Sequence, residues 1–286
     1  DSDDYYDPYN PPQYVTDNDE YAQMWKEYQF YPRLNKRGNP VCYLFRNPYG
    51  GGMVQVGDFY MEPLLHIYND DFEQNKRVIR VNRRKYETPV YIEVISSKLL
   101  KMSTIEDVLI NYEGINFSNG KDEFWRKIRE WMSYRYVMCS EVEVYGNQQQ
   151  EGMSRRPEEQ FFAFANGICH VVGDEMKFDP IDELGVVTHQ KKNYYLPAFS
   201  TIYIDNRRRQ DKYQLISQFV YREVPKEKQI SFDEWASLMD RVYSINNNGK
   251  WAVLFAVMSA FRSNIHCIDR LFTAPFFVGP MSSGKT

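Results

Sequence analysis

The chain has 286 residues, 35 Lys and Arg against 39 Asp and Glu for a formal charge of −4, and 43% hydrophobic residues that include 23 Tyr and 18 Phe. That length allows one large domain or two modest ones, with ample material for a core. It excludes a zinc ribbon or a disulfide framework, because Cys42, Cys139, Cys169 and Cys267 lie far apart with no C-x-x-C pair; it also excludes a bilayer span, because the longest apolar run, Trp251 to Phe261, has only eleven residues.

The opening residues carry no signal-peptide pattern, so a cytoplasmic protein with reduced, buried thiols is expected. Residues 1–20 hold seven acids (Asp1, Asp3, Asp4, Asp7, Asp17, Asp19 and Glu20) and no Lys or Arg. Without them the remainder has 35 basic and 32 acidic residues, a charge of +3. A mildly basic body permits nucleic-acid binding without demanding it. The acidic stretch is too polar and too rich in Pro to order itself, and is expected to be a disordered linker.

Glu20 to Tyr28 is expected to form a short helix. A β-rich block follows: Val41 to Arg46, then Met53 to Tyr60, Leu64 to Tyr68 and Thr88 to Ile95, the last alternating with Val90, Ile92 and Val94 on one face. Asn47-Pro48-Tyr49-Gly50-Gly51-Gly52 reads as a loop, not a phosphate cradle, since no Lys-Ser/Thr follows it. Lys76 to Tyr86 holds six basic residues, Lys76, Arg77, Arg80, Arg83, Arg84 and Lys85. On a strand ending in a turn they would make a positive ridge suited to phosphates and a stacked base. The competing reading is a solvated edge strand protected by charge.

Two helices are expected next. Ser103-Thr104-Ile105-Glu106 reads as a capping box, with Ile105, Val108, Leu109 and Tyr112 on one face. Asn119 is expected to start the second, with Asp122 and Glu123 in its first turn and Phe124, Ile128, Trp131 and Met132 facing the core. Further strands are expected at Glu141 to Tyr145 and, after a polar loop from Asn147 to Gln160, at Phe161 to Ile168 with an Asn-Gly turn; later segments are Tyr194 to Ala198 and Thr201 to Ile204. Lys191-Lys192 beside Tyr194 and Tyr195, and Arg207-Arg208-Arg209, are weaker versions of the basic ridge. His66, His170, His189 and His266 show no ligand spacing, and structural roles are expected for all four.

Composition shifts near Pro225. A second capping box, Ser231-Phe232-Asp233-Glu234, opens an amphipathic helix that should end at a Gly249 C-cap. Trp251 to Phe261 reads as a buried helix. The apolar run Leu271 to Val278 then leads directly into Gly279-Pro280-Met281-Ser282-Ser283-Gly284-Lys285-Thr286. This is G-x-x-x-x-G-K-T, the Walker A pattern, in the strand-to-loop setting it requires. Gly279 to Gly284 would cradle ATP phosphates with backbone N–H groups; Lys285 would reach the outer phosphates, and Thr286 would hold Mg²⁺. The acidic Mg²⁺ partner and the arginine finger are not in this sequence. The expectation is therefore an N-terminal piece of a larger NTPase, inactive by itself.

With these residues in view, the chain resembles the primase/helicase-associated P-loop ATPases of bacterial mobile elements and phages. The stretches that carry the resemblance are Phe161-Phe162-Ala163-Phe164-Ala165-Asn166-Gly167-Ile168, Tyr194-Tyr195-Leu196-Pro197-Ala198-Phe199-Ser200, and the run from Trp251 to Thr286. It covers residues from about 41 to 286, and only the P-loop is specific; Ser282 and Ser283 stand where such loops usually carry a glycine. The resemblance implies an α+β fold: a largely antiparallel, β-rich accessory domain with packed helices over 21–229, then the first helix, strand and P-loop of an AAA+ or helicase-like core over 230–286. It also implies ATP-driven work on DNA, single-stranded by preference, by a homo-oligomeric ring or filament, with the accessory domain contacting DNA, a primase or neighbouring subunits. The alternative is a DNA- or protein-docking module on a P-loop switch or packaging ATPase with no helicase activity. Whether 21–229 is one domain or two stays open at this level.

Overall fold

The computed structural model describes residues 9–47, 49–68, 74–142, 145–148, 160–204, 219–242, 247–262 and 265. It is a mixed α+β protein whose strands pair almost entirely antiparallel. The chain divides into two compact units, Asp1–Glu141 and Val142–Thr286. The region 21–229 is thus split near its middle. Among the described residues no helix is long and apolar enough to cross a membrane.

The first unit opens with α1 (Gln13–Thr16) and α2 (Asp19–Tyr28). α1 and the first two residues of α2 fall within residues 1–20, the stretch expected to be a disordered linker. The reason is apolar anchorage: Val15 is buried with Tyr31 and Leu44, and the Tyr14 hydroxyl donates to the Pro32 carbonyl at 3.0 Å. Residues 1–8 lie outside the described residues. The Asn18 side chain caps α2 by accepting from the Tyr21 N–H. Gln29, left-handed at φ 61°, ends it.

A three-stranded sheet follows, β1 (Phe30–Leu34), β2 (Pro40–Arg46) and β3 (Met53–Val56), paired in that order. A second sheet contains β4 (Phe59–Tyr68), β5 (Lys76–Arg83) and β6 (Val90–Ile95), consecutive and antiparallel. After α3 (Met102–Leu109) and α4 (Asp122–Ser133), β7 (Val137–Glu141) returns to lie parallel to β4. The strand expected at Glu141 to Tyr145 therefore lies earlier, and residues 143 and 144 are outside the described set.

Aromatic side chains fill this unit's core. Phe30 stacks on Phe45 at 4.7 Å, and Phe45 meets Phe124 of α4 at 4.5 Å. The expected face of α4 is buried, with Trp125 added to it. Its acids occupy the first turn as expected, but it starts at Asp122 after Lys121. Asn119 instead adopts φ 54° and donates to the Gln55 carbonyl. The Ser103 capping box does not form, because α3 begins one residue earlier, at Met102. The Thr104 hydroxyl bonds back to the Lys98 and Lys101 carbonyls.

The second unit contains an antiparallel sheet ordered β11 (Glu175–Pro180), β10 (Gly167–Val172), β9 (Phe161–Phe164), β8 (Gly146–Gln148), and a hairpin of β12 (Val186–His189) with β13 (Lys192–Tyr195). The expected apolar stretch at Phe161 is the β9–β10 hairpin. Its two-residue turn is Ala165-Asn166, since Phe164 pairs with Gly167. Phe161, Ala163, Ile168 and Tyr194 lie in one buried cluster. Thr201–Ile204 is a helical turn, α5.

Two helices follow, α6 (Phe232–Val242) and α7 (Asn247–Ala260). Ser231 caps α6 by accepting from the Glu234 N–H at 3.2 Å. Gly249 lies inside α7, so it is not the expected C-cap. Nor is α7 the buried helix expected: Trp251 is 69% and Leu254 53% exposed. The run is apolar around its whole circumference. Its C-terminal end meets β8, where a Cβ on Gly146 (φ 108°) would lie 2.5 Å from the Ala260 carbonyl, and docking one side leaves the other uncovered.

Candidate functional site

Gly279 to Thr286, with Lys285 and Thr286, and the run Leu271 to Val278 lie outside the described residues, as do Arg207-Arg208-Arg209 and His266. The basic stretch is fully described. It lies on β5, which is an interior strand between β4 and β6 rather than an edge. Alternation sends Ile79 and Val81 into the core and places Lys76 and Arg80 on the opposite side.

There the cations meet carboxylates. The Lys76 ammonium is 2.9 Å from Glu141 and 4.0 Å from Glu93; these side chains are 16%, 9% and 16% exposed, respectively. Arg80 faces its cross-strand neighbour Glu62 at 3.4 Å. Two cations thus face three carboxylates, and no positive ridge results. Arg77 lies over the Tyr136 ring at 4.6 Å. Arg83 is buried, donates to the carbonyls of Glu113 and Thr88, and stacks on Tyr86 at 4.2 Å. Arg84 is paired with Asp58 at 3.8 Å. Only Lys85 of the six is exposed and without a partner among the described residues. The pairing is invisible in sequence because Glu62, Glu93 and Glu141 reach this face only through strand register. The one available signal was Glu93, an acid set between Ile92 and Val94 on the outward phase of an alternating strand.

Lys191 and Lys192 are exposed at the β12–β13 turn, but Tyr194 and Tyr195 are buried and offer no stacking surface. His170 contacts Asp179 at 2.7 Å, and its ring lies 4.7 Å from that of His189. No group of three or more His, Cys, Asp or Glu able to hold a metal occurs among the described residues. Cys42, Cys139 and Cys169 are buried thiols; burial pushes the Cys42 thiol up to about 11, which leaves it unreactive at neutral pH.

His66 is buried opposite Arg77. Burial, and then the Arg77 charge, lower its pKa to about 4. The unfolded chain binds this proton near pH 6.5, whereas the folded chain refuses it until about pH 4. Stability is therefore expected to fall as the pH drops from 6.5 towards 4. Urea titrations across that window should show a shallower fall in a His66→Phe variant; an unchanged slope would locate the titration elsewhere.

Arg80 also belongs to a cleft of about 500 Å³ within the first unit. Its floor is a square of two cross-strand pairs, Glu62 with Arg80 and Tyr60 with Asn82. Trp131 and Arg135, from α4 and just beyond it, and Glu20 and Tyr21 from α2 form its sides. Arg135 lies over the Trp131 ring at 4.6 Å and reaches Glu20 at 3.5 Å. A comparison with protein-family models, curated proteins and solved structures finds no match for this chain.

Proposed function

We propose that this chain belongs to a cytoplasmic, helicase-like P-loop ATPase that works on DNA as a homo-oligomer. The observation that carries the reading is the sequence Gly279 to Thr286, entered from the apolar run Leu271 to Val278. In this reading the backbone of Gly279 to Gly284 holds the ATP phosphates, with Lys285 on the outer phosphates and Thr286 on Mg²⁺. In this reading the helices α6 and α7 belong to the opening of the ATPase core.

One observation favours the alternative for the first unit, that it docks a protein such as a primase or a neighbouring subunit. The charges of Lys76, Arg80, Arg83 and Arg84 are already engaged within the unit. Phosphate contacts through them would have to displace those partners.

The test is ATP hydrolysis by the full-length protein, with and without single-stranded DNA, beside Lys285→Ala. Hydrolysis stimulated by DNA and reduced at least about 100-fold in the variant is the expected result. Hydrolysis indifferent to DNA would replace the motor with the docking reading. Equal rates in both proteins would remove the P-loop assignment.

A further inference from the structure

We propose that the cleft on β4 and β5 binds a free α-amino acid with an apolar or aromatic side chain. This goes beyond the nucleotide reading and does not depend on it.

The cleft's volume, about 500 Å³, falls within the range of roughly 300–1,000 Å³ usual for small-molecule sites. Its polar groups are uncommitted to an unusual degree. The Asn82 amide and the Tyr60 hydroxyl, both on the floor, have no hydrogen-bond partner among the described residues. Trp131 is only 1% exposed, yet its indole N–H meets no acceptor, and the Nε of Arg80 is likewise buried without one. Buried donors left in this state are costly, and an incoming acceptor would relieve them.

Charge narrows the ligand. The cleft holds two arginines and two glutamates, paired as Arg80–Glu62 at 3.4 Å and Arg135–Glu20 at 3.5 Å. Both separations exceed the roughly 2.7–2.9 Å of a closed charge-assisted hydrogen bond. Arg135 also donates to the Trp131 carbonyl at 2.8 Å and to the Gln23 side-chain oxygen at 3.0 Å, so the pair with capacity for another partner is Arg80–Glu62. A simple anion on Arg80 would also face Glu62, and a simple cation on Glu62 would face Arg80. A molecule carrying both charges a few bonds apart satisfies the two together. Its carboxylate takes Arg80, with Asn82 beside it, and its ammonium takes Glu62. Tyr21, Pro40 and Pro63 supply apolar surface for its side chain.

The test is thermal denaturation of the full chain with each L-amino acid at about 10 mM. At least one apolar or aromatic amino acid is expected to raise Tm by about 5 °C. Its decarboxylated amine and its deaminated acid, each keeping one charge, should not. Glu62→Gln, an isosteric change at a half-exposed side chain, is expected to keep the ligand-free Tm and lose the shift. No shift with any amino acid overturns the proposal. So does an equal shift with either single-charge analogue, a shift with nucleosides instead, or a full shift in a folded Glu62→Gln protein. Should that variant fail to fold, the two analogues decide the question alone.

Discussion

A Phe30→Ala variant is expected to lose about 3–5 kcal/mol of folding stability. Phe30 is fully buried where α2 hands over to β1, and its ring is shared by elements far apart in the chain. It stacks on Phe45, meets Tyr43 edge-on at 5.8 Å and meets Trp131 edge-on at 6.4 Å. Truncation removes apolar contact from β2 and α4 together, and the rigid neighbouring rings cannot collapse into the void. Phe30→Leu keeps most of the volume and should cost less than about 1.5 kcal/mol. Urea unfolding followed by tryptophan fluorescence reports on this directly, because Trp125 and Trp131 lie in the same core. A loss below about 1 kcal/mol for the alanine variant would mean that this ring does not join the helix to the sheet.

Lys76→Met is expected to cost about 3 kcal/mol, although it looks from sequence like a harmless trim of a surface cation. The change leaves the carboxylates of Glu141 and Glu93 in a largely buried place without their ammonium. Breaking one side of such a pair is far costlier than removing both sides. The double variant Lys76→Met with Glu141→Leu should therefore recover much of the loss. Lys85→Ala, exposed at the turn after β5, should change stability by less than about 0.5 kcal/mol. Equal effects from Lys76→Met and Lys85→Ala in urea titrations would show that the buried pair is energetically idle. A DNA-binding measurement on Lys76 variants is interpretable only beside this stability series.

Local signals read the first unit well wherever one periodicity dominated. Strand β2 follows from a continuous apolar run, strand β6 from alternation, and the buried face of α4 from i, i+4 spacing. They failed where a distant partner overrode local chemistry. The Tyr14-Val15 pair orders an acidic stretch because Tyr31, Leu44 and Pro32 are waiting for it. The Ser103 box loses to a helix that begins one residue earlier. The basic stretch shows the same limit at the level of a site. Six cations in eleven residues read as a ridge, but register supplies their counter-ions from β4, β6 and β7. The cleft was not legible at all, since its lining comes from five separate segments whose residues show no shared spacing.

The parallel return of β7 sets a timetable for synthesis. Leu65 to Tyr68 pair with Val137 to Ser140, and Lys76 finds Glu141, the last residue of the first unit. A nascent chain that has reached α4 still shows the β4 backbone edge without this neighbour, a template for wrong pairing while translation continues. Once Glu141 has emerged, β4 has a neighbour on each edge, β5 and β7.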